Sequence, residues 1–170
     1  MSTKAEPFDP YAILTALERE RVTYILIGGF ARIIQGTEEL TNGFDLVPSL
    51  RAENLRRLGL ALGDLDARLP NGTRPALDRD LASQAVLDLR TDAGGLNVVP
   101  DPAGTRGGYD DLRRAATREP IGRGLRPSVA SVGDLARMLA ALGREQDLPP
   151  LQQLRTLAEL ERSLIRGIER

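Results

Sequence analysis

Gly28-Gly29 and Asp45 are the residues of this sequence whose types and spacing suit chemistry on phosphates. Two glycines between an apolar strand and a helix let phosphate oxygens approach backbone N–H groups, and a helix N-terminus favours negative charge. Carboxylates two residues apart on a strand point to one side of a sheet. Such a pair can hold Mg2+ ions that bridge the phosphates of a nucleotide. Asp45 fills the second position of such a pair, but the first is Gly43. Asp88 alternates with apolar neighbours on another expected strand and is the best substitute carboxylate. The chain is either an enzyme lacking one ligand or a former enzyme kept for another purpose.

Those residues need a framework. VTYILIGG (22–29) is apolar and rich in β-branched residues, so it reads as a buried strand running into a tight turn. FARIIQG fits a short helix, and FDLVP (44–48) a second buried strand ended by Pro48. Upstream, Asp9-Pro10 has the form of a helix cap with proline at the first helical position. Ser49 is expected to cap a helix that turns Leu55, Leu58, Leu62 and Leu65 inward. Residues 70–80 carry turn formers and read as a loop. AVLDLRT (85–91) and GLNVVP (95–100) suggest a hairpin turning near Gly94-Gly95. Short edge-like strands are expected in 121–130. Ser131 then caps a helix that Gly143 stops. A last helix from Pro149-Pro150 carries Leu151, Leu154, Leu157, Leu164, Ile165 and Ile168 on one side, as core or as a partner interface.

Composition narrows the chemistry. A chain of 170 residues, 41% hydrophobic and 28% charged, suits one packed domain. With no Cys and no His, disulfides, thiolate nucleophiles, histidine bases and ordinary zinc sites are excluded. Aromatics at 4% argue against base-stacking platforms, and a net charge of −1 against strong general attraction to nucleic acid. No apolar run is long enough to span a membrane and no secretory signal pattern is present, so a cytoplasmic location is the expectation.

The stretch 28–45 resembles nucleotidyltransferases of the DNA polymerase β type, whose signature is Gly-Gly or Gly-Ser, a spacer, then Asp-x-Asp. Here thirteen residues separate Gly29 from Gly43-Phe44-Asp45. The resemblance is closest to the small abortive-infection nucleotidyltransferase toxins of bacteria. GGLNVVPDPAG is similar to their strand bearing the third carboxylate, and SVGDLARMLAALGREQD (131–147) to a C-terminal helix of theirs. The resemblance implies an α/β fold: a small mixed, twisted sheet flanked by helices, then a helical C-terminal portion. One domain over 1–170 is expected, with an α/β core at about 8–125 and C-terminal helices at 131–168. It also implies nucleotide contacts by Gly28, Gly29, Thr41, Arg144 and Asp147, and a role for Asp45 in catalysis and metal binding.

Five positions depart from the family's pattern. Gly43 and Asn97 stand where two of its three carboxylates belong, Glu39 where it often has Arg, and Leu139 and Gln146 where it has lysines. Nucleotidyl transfer rests on positioning and on charge neutralisation by metal ions. Losing one preorganised electrostatic group typically costs about 10²–10³ in rate. Three readings follow. One is a pseudoenzyme that keeps a cleft for a nucleotide, an RNA 3′ end or a partner such as an antitoxin-like protein. The second is an active enzyme using Mg2+ and NTP, with Asp45 and Asp88 as ligands. The third is an interaction module with no cofactor, such as a homo-oligomer built through the last helix.

Overall fold

The computed structural model describes residues 7–168; the extreme ends of the expected 1–170 domain lie outside them. Helix α1 (Pro10–Arg19) starts as its sequence requires, with the Asp9 carboxylate accepting from the Ala12 amide at 3.2 Å. It leads into β1 (Tyr24–Ile27), whose last residue caps α2 (Gly28–Gln35), so the two glycines belong to the helix and not to the strand. Next come β2 (Gly43–Pro48), α3 (Ala52–Asp64), α4 (Leu77–Ser83) and the hairpin of β3 (Leu87–Thr91) and β4 (Gly94–Val98). The short α5 (Tyr109–Leu112), β5 (Thr117–Arg118) and β6 (Ser128–Val129) precede α6 (Val132–Leu142) and α7 (Leu148–Ile168).

All six strands form one mixed sheet in the order β3-β4-β2-β1-β6-β5. β1 is antiparallel to β2, and β2 runs parallel to β4 with Asp45 beside Asn97. Alternation divides the residues between two faces. Phe44, Leu46, Leu87, Leu89, Leu96 and Val98 point one way and are fully buried. Gly43, Asp45, Asp88, Arg90, Gly95 and Asn97 share the other face. The three phenylalanines of the chain gather at the glycine turn: Phe30 packs edge-on to Phe8 and tilted on Phe44, both at 5.9 Å.

Asn54 is the polar fastener of this core. Its side chain accepts from the Thr23 amide at 2.7 Å and donates to the carbonyls of Thr23 and Ser49 at 2.8 and 2.7 Å. Ser49 therefore does not cap α3. Its own amide extends the strand ladder to Thr23, and the helix begins after Arg51 with no side-chain cap. Two other expectations are corrected. The stretch 70–80 is not all loop, because α4 opens at Leu77, which is buried. The hairpin turns at Asp92-Ala93, since Thr91 pairs with Gly94 and its hydroxyl both accepts from Ala93 and donates to the Gly94 carbonyl.

At the C-terminal end Ser131 caps α6 by accepting from the Asp134 amide, and Gly143 ends it in the left-handed conformation. α7 packs on α6 through Leu151 and Leu154. Beyond Ala158 every described residue of α7 is exposed, including Leu160, Leu164, Ile165 and Ile168. Among the described residues no helix is long and apolar enough to cross a membrane.

Candidate functional site

β1 delivers the chain to Gly28 at φ +78°, a left-handed conformation that a side chain resists. The Asp45 carboxyl group explains the glycine further. It lies against the Gly28 Cα, so that a Cβ there would stand 2.9 Å from the Asp45 Cγ and closer still to Oδ2. Asp45 thus sits at the N-terminus of α2, where unpaired backbone N–H groups favour a negative charge. Gly29 packs against Thr41, whose hydroxyl donates to the Gly43 carbonyl and accepts from its amide at 3.2 and 3.4 Å, closing the turn before β2.

Asn97 touches Asp45 directly. Its Nδ2 donates to Oδ1 at 2.9 Å across the parallel β2–β4 pair. Burial pushes the Asp45 carboxyl above the usual carboxylate range, against the Asn97 hydrogen bond and the nearby Arg32 guanidinium. Asp88 lies in the same row and on the same face, but beyond Asn97 on β3. Two strand spacings put it roughly 10 Å from Asp45, too far to share one ion with it. One row along, Gly43 and Gly95 leave bare backbone flanked by Arg90, and a Cβ on Gly43 would meet nothing within 4 Å.

The donor set does not fit the metal chemistry of the resembled family. Among the described residues no three of Asp, Glu, His or Cys stand close enough to hold a metal ion. The Asn97 amide also places an N–H on the oxygen lone pair that a cation would need. No step through Mg2+ follows from these residues.

An ion pair that sequence reasoning missed stands beside Asp45. Arg32, one turn into α2, grips Glu39 with three hydrogen bonds of 2.8–3.1 Å, and both side chains are 14% exposed. Thr37 adds a fourth at 2.6 Å. Burial pushes the Glu39 carboxyl up, but these hydrogen bonds outweigh it and hold the group below its usual range, against repulsion from Asp147. Asp147 is 7% exposed and accepts from Arg144 Nε at 2.6 Å. The charges thus form two pairs, Arg32–Glu39 beside Asp45 and Arg144–Asp147, which meet acid to acid at Glu39 and Asp147. Arg32 is the only cation between Val22 and Leu50, so an acid standing where a base is expected was the available signal. Leu139 is 2% exposed in the α6 core and cannot take a lysine's place at a phosphate, while Gln146 faces solvent.

No protein-family model matches the sequence, nor does any curated protein. Solved structures do match. A solution structure of the antibiotic-resistance factor ANT(2'')-Ia aligns over 94% of this chain and 92% of its own, at TM-score 0.58 and 14% identity. The lincomycin-bound lincosamide antibiotic adenylyltransferase LnuA aligns over 87% and 95%, at TM-score 0.59 and 15% identity. A Thermotoga maritima protein assigned to the nucleotidyltransferases gives TM-score 0.54 at 15% identity, over 86% and 90%. At such identities the likeness establishes the nucleotidyltransferase fold.

Proposed function

We propose that the chain is a catalytically degenerate nucleotidyltransferase-fold protein of the bacterial toxin–antitoxin type. Its cleft over Asp45 binds a nucleotide, an RNA 3′ end, or a partner such as an antitoxin-like protein. The observation that carries this reading is the Asn97–Asp45 hydrogen bond, which ties the remaining acid to an amide in the place of a second acid. What stays is suited to binding: a helix N-terminus, an open glycine floor, and cations at Arg90 and Arg144. Gly28, Gly29 and Thr41 shape the turn, while Asp147, near Glu39, holds Arg144.

The alternative is an active Mg2+- and NTP-dependent enzyme, in which Asp88, on the face of Asp45 but roughly 10 Å away, would have to hold a separate ion. Calorimetric titration with ATP, CTP, GTP and UTP, with and without Mg2+, separates the two. The degenerate reading expects nucleotide affinity that ignores Mg2+ in the natural chain, and Mg2+-dependent affinity in Gly43→Asp/Asn97→Asp, because the space at residue 43 is open. Transfer of labelled nucleotide by the natural chain onto total tRNA, or onto an antibiotic acceptor such as lincomycin, overturns it.

A further inference from the structure

The end of β1 away from Asp45 also opens onto a cleft. Where the strand starts, α1, α5 and the β5–β6 hairpin wall a cleft of about 440 Å3, a size usual for small-molecule sites. Arg21, Arg113, Arg118 and Arg126 line it against a single acid, Glu18, in a chain whose net charge is −1. Among the described residues Arg21, Arg118 and Arg126 make no ion pair, and the Arg113 contact with Asp110 is long at 3.9 Å. Arg118 Nε donates to the Arg126 carbonyl at 3.1 Å, which sets these two arginines at one end of the hairpin.

Arg21 and Tyr24 complete the polar lining. Three described non-glycine residues have positive φ: Arg21 (55°), Asp66 (51°) and Arg123 (54°). At Arg21 this conformation ends α1, with the Val22 amide donating to the Leu17 carbonyl and the Arg21 amide to that of Glu18, both at 3.0 Å. Asp66 pairs with Arg68, and Arg123 lies over the Tyr11 ring at 4.2 Å. Arg21 has no such partner among the described residues and faces the cleft. Tyr24 lines the same space, and its hydroxyl makes no hydrogen bond within the described residues. Burial and the Glu18 carboxylate, opposed by Arg118, push that phenol well above its usual range, so it stays a neutral donor.

Guanidinium groups match phosphate oxygens in paired hydrogen bonds, and four of them exceed the need of one phosphate. Buried Leu14 and Leu125 supply an apolar wall beside them. We infer that this cleft is a second anion site, for a small molecule bearing two or more phosphate groups, at the opposite end of β1 from Asp45. The limited volume of the cleft and the balanced net charge favour such a molecule over a nucleic-acid strand.

Calorimetric titration of the full chain with inorganic tripolyphosphate and with ATP, in EDTA, tests this site. Both probes are expected to bind, about tenfold or more weaker in Arg118→Ala/Arg126→Ala. Affinity should return in part in Arg118→Lys/Arg126→Lys and stay unchanged in Arg162→Ala, an exposed arginine on the outer turns of α7. Both arginines are exposed, so circular dichroism melting should show the alanine variant folded. Equal affinities mean that phosphate alone is read, and tighter ATP means that the apolar wall holds the nucleoside; each sustains the inference. It is overturned by equal binding to the natural chain and the alanine variant, or by no heat with either probe. Binding of a single-stranded RNA oligomer when neither small probe binds also overturns it. Nucleotide binding abolished by Arg144→Ala alone would support the Asp45 cleft and sink this one.

Discussion

Gly28→Ala tests whether the glycine turn exists to let Asp45 approach the backbone. Two separable terms enter. Holding alanine at φ +78° costs about 1–2 kcal/mol, the general penalty for a left-handed residue with a Cβ. The new methyl would also stand where the Asp45 carboxylate lies, with Cγ 2.9 Å away. The carboxyl group must swing off and give up its bond to Asn97, a charge-assisted contact worth about 1.5–3 kcal/mol. The sum is about 2.5–5 kcal/mol, or roughly 5–20 °C in Tm for a domain of this size. Gly43→Ala is the control: its Cβ meets nothing within 4 Å, so a change within about 0.5 kcal/mol is expected. Circular dichroism melting of Gly28→Ala, Asp45→Ala and the double variant closes a cycle. The double variant should lose less than the sum of the singles, because removing the carboxyl group leaves only the backbone term. Additive losses, or a Gly28→Ala protein that melts with Gly43→Ala, would refute the steric account.

Asp45→Asn is expected to stabilise the fold at neutral pH. A carboxyl whose folded pKa is raised favours the folded state below its unfolded value and loses that contribution as pH climbs through the folded pKa. The advantage of the Asp45→Asn variant should therefore be largest near pH 7 and vanish below about 3.8, as denaturant melts across pH would show. Arg32→Ala should destabilise by about 2–3 kcal/mol by stranding the partly buried Glu39, with much of the loss recovered in Arg32→Ala/Glu39→Gln. Leu139→Lys, although it restores the resembled family's residue, should cost at least about 3 kcal/mol in urea unfolding because that position is core.

The opening stretch was readable because its structure is local. The apolar strand, the glycines, the caps at Asp9 and Ser131 and the stop at Gly143 depend on neighbours a few residues away. Ser49 misled although it has a capping residue's chemistry: its amide is claimed by the distant Thr23, and its carbonyl by Asn54 of the helix it was expected to cap. The glycines of the hairpin misled through their freedom, since Gly94 at φ +109° follows the turn while Gly95 serves the ladder beside Gly43. Gly43 and Asn97 could be placed from sequence, but not the hydrogen bond joining Asn97 to Asp45, which spans 52 residues. The Arg32–Glu39 clasp and the arginine cleft arise where separate elements meet, and no periodicity announces such meetings.

The far end of α7 carries a consequence for motion. From Glu159 to Ile168 the helix touches no core, and isolated helices shorter than about 12–15 residues are marginal in water. Arg162 and Arg166 stand one turn apart with like charge, and Gly167 weakens the last turn. Amide protons in these turns should exchange with deuterium orders of magnitude faster than those around Leu151 and Leu154, giving one helix two lifetimes.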